Sequence, residues 1–162
     1  MDQRQSLVAG GLFTVCGVVA WATGLPFVFP SLGPTAFVLA TAADPGPRRV
    51  VGGHTVGAIV GFAAHALLAP GLVATTQFAP FAPASVRLAL AGALAVAGTT
   101  AGMRLSGTVH PPACATTLIL SLGLLGRLRA VGVVVAAVTL LYVTFRLGRH
   151  VIDRHGERTY PT

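Results

Sequence analysis

Long apolar stretches alternate along the chain with short clusters of proline, glycine and arginine. Four runs contain no charged side chain and cover residues 5–43, 66–86, 88–103 and 130–145. A helix needs about 20 apolar residues to cross the hydrocarbon core of a bilayer. The pattern therefore predicts an all-α, polytopic transmembrane bundle of six segments. These segments cover approximately residues 7–25, 27–43, 50–69, 84–103, 108–125 and 130–145.

Proline interrupts two of the six segments. Pro30 and Pro34 lie in the second segment, and Pro111 and Pro112 lie in the fifth. Proline removes a backbone donor and disfavours helical geometry in the residue before it. Within a bilayer, such breaks are tolerated where the backbone lines a cavity or is buried in protein. We therefore expect each of these segments to be a broken helix.

The order of elements repeats along the chain. Each half, at about 7–69 and 84–145, has a full span, a proline-containing segment, an arginine pair and another span. This repeat predicts one transmembrane domain over residues 1–162, which includes a polar tail at 146–162. If the proline-containing segments cross the membrane, the halves form a 3+3 inverted repeat. If they re-enter, each half has two spans and the halves are parallel.

Composition agrees with a membrane protein. Of the 162 residues, 54% are hydrophobic and 9% are charged, whereas a soluble domain has about 25% charged residues. All eleven basic residues are arginine, and the net charge is +7. Arginines at the ends of membrane segments set topology and contact anionic headgroups. We therefore expect the lipid bilayer as a partner, and no nucleic acid.

Arginine placement also predicts topology. Six crossings with a cytoplasmic N-terminus put eight arginines inside and three outside, whereas four crossings give six against five. Cytoplasmic loops are enriched in basic residues, so we expect six crossings of the inner membrane with both termini cytoplasmic. With six crossings, Arg127 and Arg129 lie outside, on the side with fewer arginines, and they could instead be functional.

Glycines predict close helix packing on the third segment. Gly53, Gly57 and Gly61 recur every four residues, which places them on one face of a helix. Small residues with this spacing allow another helix to approach closely. We favour contact within the chain over contact between copies.

Three ordered sequence blocks resemble the HPP family of integral membrane proteins, which is named for its His-Pro-Pro motif. The first block is Ser31–Leu39, the second is Pro47–His54, and the third is His110–Ile119. The chain departs from the usual family pattern at Pro34-Thr35 and at Cys114. Some members are associated with nitrite transport in plastids and cyanobacteria, so the resemblance implies transport of a small inorganic anion. The family is usually described with four spans, against the six counted above.

The breaks themselves suggest how an anion would bind. Pro112 is well placed as the first residue of a helix, and Gly33-Pro34-Thr35 could open a second one. Helix N-termini carry partial positive charge and free N–H groups, and two of them near the bilayer midplane would attract an anion. The predicted substrate-binding residues are His110, Pro111, Pro112, Ala113, Thr116, Thr117, Ser31, Gly33, Pro34, Thr35 and His54.

The histidines have both structural and functional interpretations. His110 could donate to an anion or relay a proton, or it could satisfy carbonyls freed by the prolines. His54 is a headgroup-level residue or a functional one. His65 follows eleven residues later, about three turns, and is expected to be a core histidine on the same face. His150 and His155 are expected to be solvated.

Other functions have weaker signals. The apolar segments contain no Asp or Glu, and no cysteine has the spacing of a metal ligand, so neither a metal site nor a cofactor is predicted. No catalytic constellation is present, so we do not expect an enzyme. Two alternatives remain open: a membrane scaffold or regulatory module that packs shut, and a histidine-dependent metal transporter. A homo-oligomer is compatible with so small a bundle.

Overall fold

The computed structural model describes residues 3–157, with side chains to residue 150, as six helices without a strand in that range. The helices are α1 Gln3–Thr23, α2 Val28–Thr41, α3 Pro47–Leu68, α4 Pro83–Ser106, α5 Ala113–Ser121 and α6 Leu128–Glu157. The predicted all-α class is confirmed for this part of the chain. Four helices, α1, α3, α4 and α6, are long and apolar enough to cross a membrane. The other two are shorter, with 14 residues in α2 and nine in α5.

The helix start predicted at Gly33-Pro34-Thr35 is wrong, because α2 continues through Pro34. The helix begins at Val28, after a turn in which Gly24 has a φ of 65°. Gly33, Pro34 and Thr35 therefore lie inside a helix. Proline within a helix removes a backbone hydrogen bond and crowds the carbonyl four residues earlier, but membrane helices tolerate it where other groups satisfy the freed carbonyl.

The fifth segment is helical only after its two prolines. Residues 108–112 are not helical, and α5 begins at Ala113. The Ala113 and Cys114 N–H groups already donate to the carbonyls of His110 and Pro111, at 3.0 Å each. The sequence predicted these donors to be free. Pro112 explains the tight start, because its φ of −55° and ψ of −25° are already helical.

The last helix is longer than the sequence predicted. The apolar pattern ends at Phe145, but α6 continues to Glu157. The polar residues of the predicted tail include good helix formers, and a helix that has left the apolar layer tolerates charge. His150 is exposed, as expected. The side chain of His155 and residues 158–162 lie outside the described part of the chain.

The connections between helices alternate between two ends of the bundle. At one end, the α1–α2, α3–α4 and α5–α6 connections line a shared cavity through Leu25, Leu72 and Gly126. We call this the cavity end. At the other end, the α2–α3 connection reaches α6, because Asp44 lies 3.0 Å from Arg146. We call this the Asp44 end.

The glycine face of α3 packs against residues 108–121. A Cβ atom added at Gly57 would lie 2.7 Å from Thr117 Oγ1, and one added at Gly61 would lie 2.5 Å from the Thr117 carbonyl oxygen. Real Cβ contacts are essentially never this short. The predicted close packing is therefore confirmed within the chain. It places the segment that begins at Thr108 directly on α3.

Candidate functional site

Five polar side chains from three segments meet inside the apolar bundle. The buried polar cluster consists of Ser31, Thr35, His54, His110 and Thr116. Four of them are 0% exposed, and His110 is 2% exposed. Buried polar groups destabilise a fold unless they are hydrogen-bonded, so the partners of this cluster decide whether it can exist.

The cluster forms one continuous chain of hydrogen bonds. The Thr35 hydroxyl lies 2.7 Å from His54 Nε2 and 3.1 Å from His110 Nε2. On its other side, His54 Nδ1 lies 2.7 Å from the Thr116 hydroxyl. The Thr116 hydroxyl in turn lies 2.7 Å from that of Ser31. Each hydroxyl can donate once and still accept, so the whole chain can be satisfied with both rings neutral.

Local sequence explains how the three segments bring these groups together. Ser31 and Thr35 are four residues apart on α2, and so they share one helix face. Next to His54, Gly53 has no side chain. A Cβ atom added there would lie 2.8 Å from His110 Cβ, so only glycine lets the His-Pro-Pro segment approach α3 this closely.

His110 is the member of the cluster with an unused atom. Its Nδ1 has no hydrogen-bond partner in the described part of the chain, where every fully buried side-chain nitrogen or oxygen has one. Nδ1 therefore retains accessible surface. Both sequence neighbours of His110, Val109 and Pro111, are exposed. His110 is thus the one member of the cluster that is not fully buried.

The cluster lies toward the Asp44 end of the bundle. His54 is seven residues after the start of α3 at Pro47 and fourteen before its end at Leu68, or about 10 Å and 21 Å along the helix. This placement along α3 follows from the early position of the Gly-Gly-His sequence in that helix. The predicted position of the site near the bilayer midplane stays a prediction.

The remaining predicted site residues lie around the cluster rather than in it. Gly33 faces α1, where an added Cβ atom would lie 2.6 Å from Phe13. The Thr117 hydroxyl is hydrogen-bonded to α4 and to the Ala113 carbonyl. Pro34 and Pro111 are exposed, and Pro112 and Ala113 form the turn that opens α5.

The sequence analysis missed some buried polar residues outside the cluster, and Thr99 is one of them. Thr99 of α4 is 0% exposed. Its hydroxyl lies 3.1 Å from the Thr117 hydroxyl. The signal was the spacing of Ala91, Ala95 and Thr99, which recur every four residues on the buried face of α4. A hydroxyl in such a row of small residues suggests an interhelical hydrogen bond.

The geometry offers few ligands for a metal. The rings of His54 and His110 have centroids 5.5 Å apart and share Thr35 as a partner. Among the described residues, no three His, Cys, Asp or Glu side chains are grouped so that they could hold a metal ion. Protein zinc sites use at least three such ligands.

Comparison with protein families gives one match that covers almost the whole chain. The family described as "HPP, transmembrane region" matches residues 5–161. No curated protein matches the chain, and no solved structure matches it.

Proposed function

Because the chain belongs to the HPP transmembrane family, we propose that it transports a small inorganic anion, with nitrite as the first candidate. As a membrane protein with four long apolar helices, it is in contact with the lipid bilayer. The observation that carries the proposal is the buried polar cluster with its two histidines. Ionisable groups inside a membrane bundle destabilise it, and they mark substrate or ion pathways in many proteins.

The proposed topology has six crossings of the inner membrane, with both termini cytoplasmic. It is supported by the alternation of the helix connections between the two ends of the bundle. It also agrees with the arginines, since Arg48 and Arg104 belong to the Asp44 end and Arg127 and Arg129 to the cavity end. Under this topology, the cluster lies nearer the cytoplasmic side.

The proposed architecture is an inverted repeat of α1–α3 and α4–α6. Its support is the pattern of packed helix pairs. If the halves are exchanged, the α1–α2 pair becomes α4–α5, the α3–α4 pair becomes α1–α6, and the α3–α5 pair becomes α2–α6. All of these pairs pack in the structure, and so do the self-related pairs α3–α6 and α2–α5.

Anion binding at His110 would orient every proton in the cluster. An anion accepts hydrogen bonds, so His110 would carry its proton on Nδ1 and accept from Thr35 at Nε2. Thr35 would then accept from His54 Nε2–H, and His54 Nδ1 would accept from Thr116. Ser31 would complete the chain by donating to Thr116. If His110 instead carries its proton on Nε2, these four hydrogen bonds reverse and Nδ1 presents a lone pair.

The start of α5 adds a favourable field at the same place. Ala113, three residues after His110, is the first helical residue, and a helix N-terminus carries about half a positive charge. The first N–H groups of α5 already donate to backbone carbonyls. The helix would therefore act on the anion through its dipole, and direct hydrogen bonds would come from His110.

A second candidate is a membrane scaffold or regulatory module that does not transport. The observation in its favour is the tight packing of α3 against α5 beside the cluster, where Gly57 and Gly61 leave no free space against Thr117. A transporter with this closed arrangement must open between α3 and the His-Pro-Pro segment. A scaffold has no such requirement.

Uptake into liposomes that contain the purified full-length protein separates the two candidates. We expect saturable nitrite uptake that nitrate, chloride or formate inhibits more weakly than unlabelled nitrite does. His110→Ala should reduce it at least about tenfold, the effect of one charge-assisted hydrogen bond. His150→Ala removes an exposed histidine and is the matched control. Folded protein that moves none of these anions would favour the scaffold.

A further inference from the structure

The cavity at the cavity end is a second polar site, separate from the buried cluster. Its volume is about 700 Å³, within the range of about 300–1,000 Å³ of small-molecule sites. His65, Arg127 and Arg129 are the polar side chains that line it. Leucine and glycine residues from three helix connections form much of the remaining wall. His65 is eleven residues from His54, or about 16 Å along α3.

Among the described side chains, this end of the bundle carries positive charge without a carboxylate. The chain has no Asp or Glu between Asp44 and Asp153, and Asp44 lies at the opposite end. Arg127 and Arg129 make no ion pair among the described residues. A third arginine at this end, Arg87, donates from Nε to the Leu68 carbonyl at 2.8 Å. Unpaired guanidinium groups beside a cavity are suited to bind an oxyanion, because their N–H donors match two of its oxygens.

His65 adds a hydrogen-bond acceptor to the same cavity. The ring is 6% exposed, and its Nδ1 lies 3.2 Å from the Ser121 carbonyl oxygen. A carbonyl only accepts, so Nδ1 carries the proton and Nε2 of the neutral ring has a lone pair. Nε2 has no partner in the described part of the chain and therefore retains accessible surface. It is next to Gly123 and Gly126 in the cavity wall.

We propose that this cavity binds a phosphate-type oxyanion that also carries a hydroxyl group. Arg127 and Arg129 bind the charged oxygens, and His65 Nε2 accepts from the hydroxyl. Two sources supply this chemistry: inorganic phosphate, and the headgroup of an anionic glycerophospholipid with a free glycerol hydroxyl. Leucine side chains in the cavity wall, such as Leu25 and Leu72, could contact the first carbons of an acyl chain. The site would exist whether or not the protein transports an anion.

Binding to the full-length protein in neutral detergent tests the proposal. Inorganic phosphate is titrated by calorimetry, with sulfate as a matched oxyanion that has no hydroxyl at neutral pH. Phosphatidylglycerol is counted by native mass spectrometry, with phosphatidylcholine as the neutral control. The variant is R127Q/R129Q, and the control R4Q/R104Q removes two exposed arginines elsewhere. Thermal unfolding without ligand verifies that both variants fold.

We expect phosphate to bind at least about tenfold more tightly than sulfate, or phosphatidylglycerol to be retained over phosphatidylcholine. R127Q/R129Q should lose at least about tenfold in that affinity, and R4Q/R104Q should keep it. Binding of phosphate alone identifies a soluble ligand, and retention of phosphatidylglycerol alone identifies a lipid. The proposal is overturned if neither binds, if sulfate binds as well as phosphate and no lipid is retained, or if R127Q/R129Q binds like wild type.

Discussion

The buried polar cluster and the cavity at the cavity end differ in whether the protein itself satisfies their polar groups. In the cluster, two histidines and three hydroxyls satisfy one another, and only His110 Nδ1 is without a partner. In the cavity, His65 and the two arginines have donors or acceptors that the described protein does not satisfy. Removing a group from the cluster should therefore destabilise the fold. Removing one from the cavity should affect ligand binding and leave the fold intact.

The largest loss of stability is expected for Thr116→Val. Valine has nearly the same shape, but it leaves His54 Nδ1 and the Ser31 hydroxyl without their partner. Each unsatisfied buried group destabilises by about 1–3 kcal/mol. Thermal unfolding in detergent measures the effect.

Two controls make this prediction specific. Thr116→Ser keeps the hydroxyl, and Thr139→Val removes an exposed hydroxyl that bonds only to the Val135 carbonyl of its own helix. Both should unfold close to wild type. Equal melting temperatures for Thr116→Val and Thr116→Ser would show that the hydrogen bonds of the cluster do not stabilise the fold.

Gly57→Ala should be the next most damaging change. The added methyl group would lie 2.7 Å from the Thr117 hydroxyl and 3.0 Å from the Ala113 carbonyl oxygen, so α5 must move away from α3. Overpacking of this kind costs about 1–3 kcal/mol. The same substitution at Gly132, which has open space around it, should be neutral or stabilising by up to about 1 kcal/mol. In a melting experiment, Gly57→Ala should unfold at a lower temperature than wild type and Gly132→Ala should not, and equal effects would contradict the packing described.

Asp44→Asn should have the smallest effect, and it should depend on pH. Partial burial tends to raise the pKa of Asp44, but hydrogen bonds from the Gly46 N–H, Arg146 and Tyr142 outweigh it and leave that pKa below its usual value. A lowered pKa in the folded state adds stability above the pKa of the unfolded state. This stability is lost as the pH falls through the folded-state pKa.

Melting curves at neutral pH and in the acid range below the usual aspartate pKa measure this difference. Wild type should be slightly more stable than Asp44→Asn at neutral pH, and the gap should close in acid. A constant gap across this range would show that the carboxylate charge is not responsible.

Sequence predicted the helices well because apolar length and charge at segment ends are local properties. The clearest exception is α2, which continues through Pro34 although the local rule for proline predicted a break there. Sequence also predicted Ser31, Thr35, His54, His110 and Thr116 as site residues, through the family resemblance and the breaks. It did not predict their hydrogen bonds, because these join residues up to 85 positions apart.

The cavity was harder to predict than the cluster. In the sequence, Arg127 and Arg129 stood out only because the predicted topology places them outside, where there are fewer arginines. His65 was expected to be a core residue, and it is buried as expected. That its Nε2 faces a cavity depends on the turn at Gly123, which no local pattern reveals.

Nitrite uptake by His110→Asn and His110→Gln tests the central claim most directly. The asparagine amide can replace the Nδ1 donor, whereas the glutamine amide reaches only the Nε2 position that contacts Thr35. If the anion accepts from Nδ1, His110→Asn should retain a measurable part of wild-type uptake, and His110→Gln should be about as inactive as His110→Ala. Wild-type uptake by His110→Gln, together with no uptake by His110→Asn, would contradict the account. It would leave His110 with a structural role only.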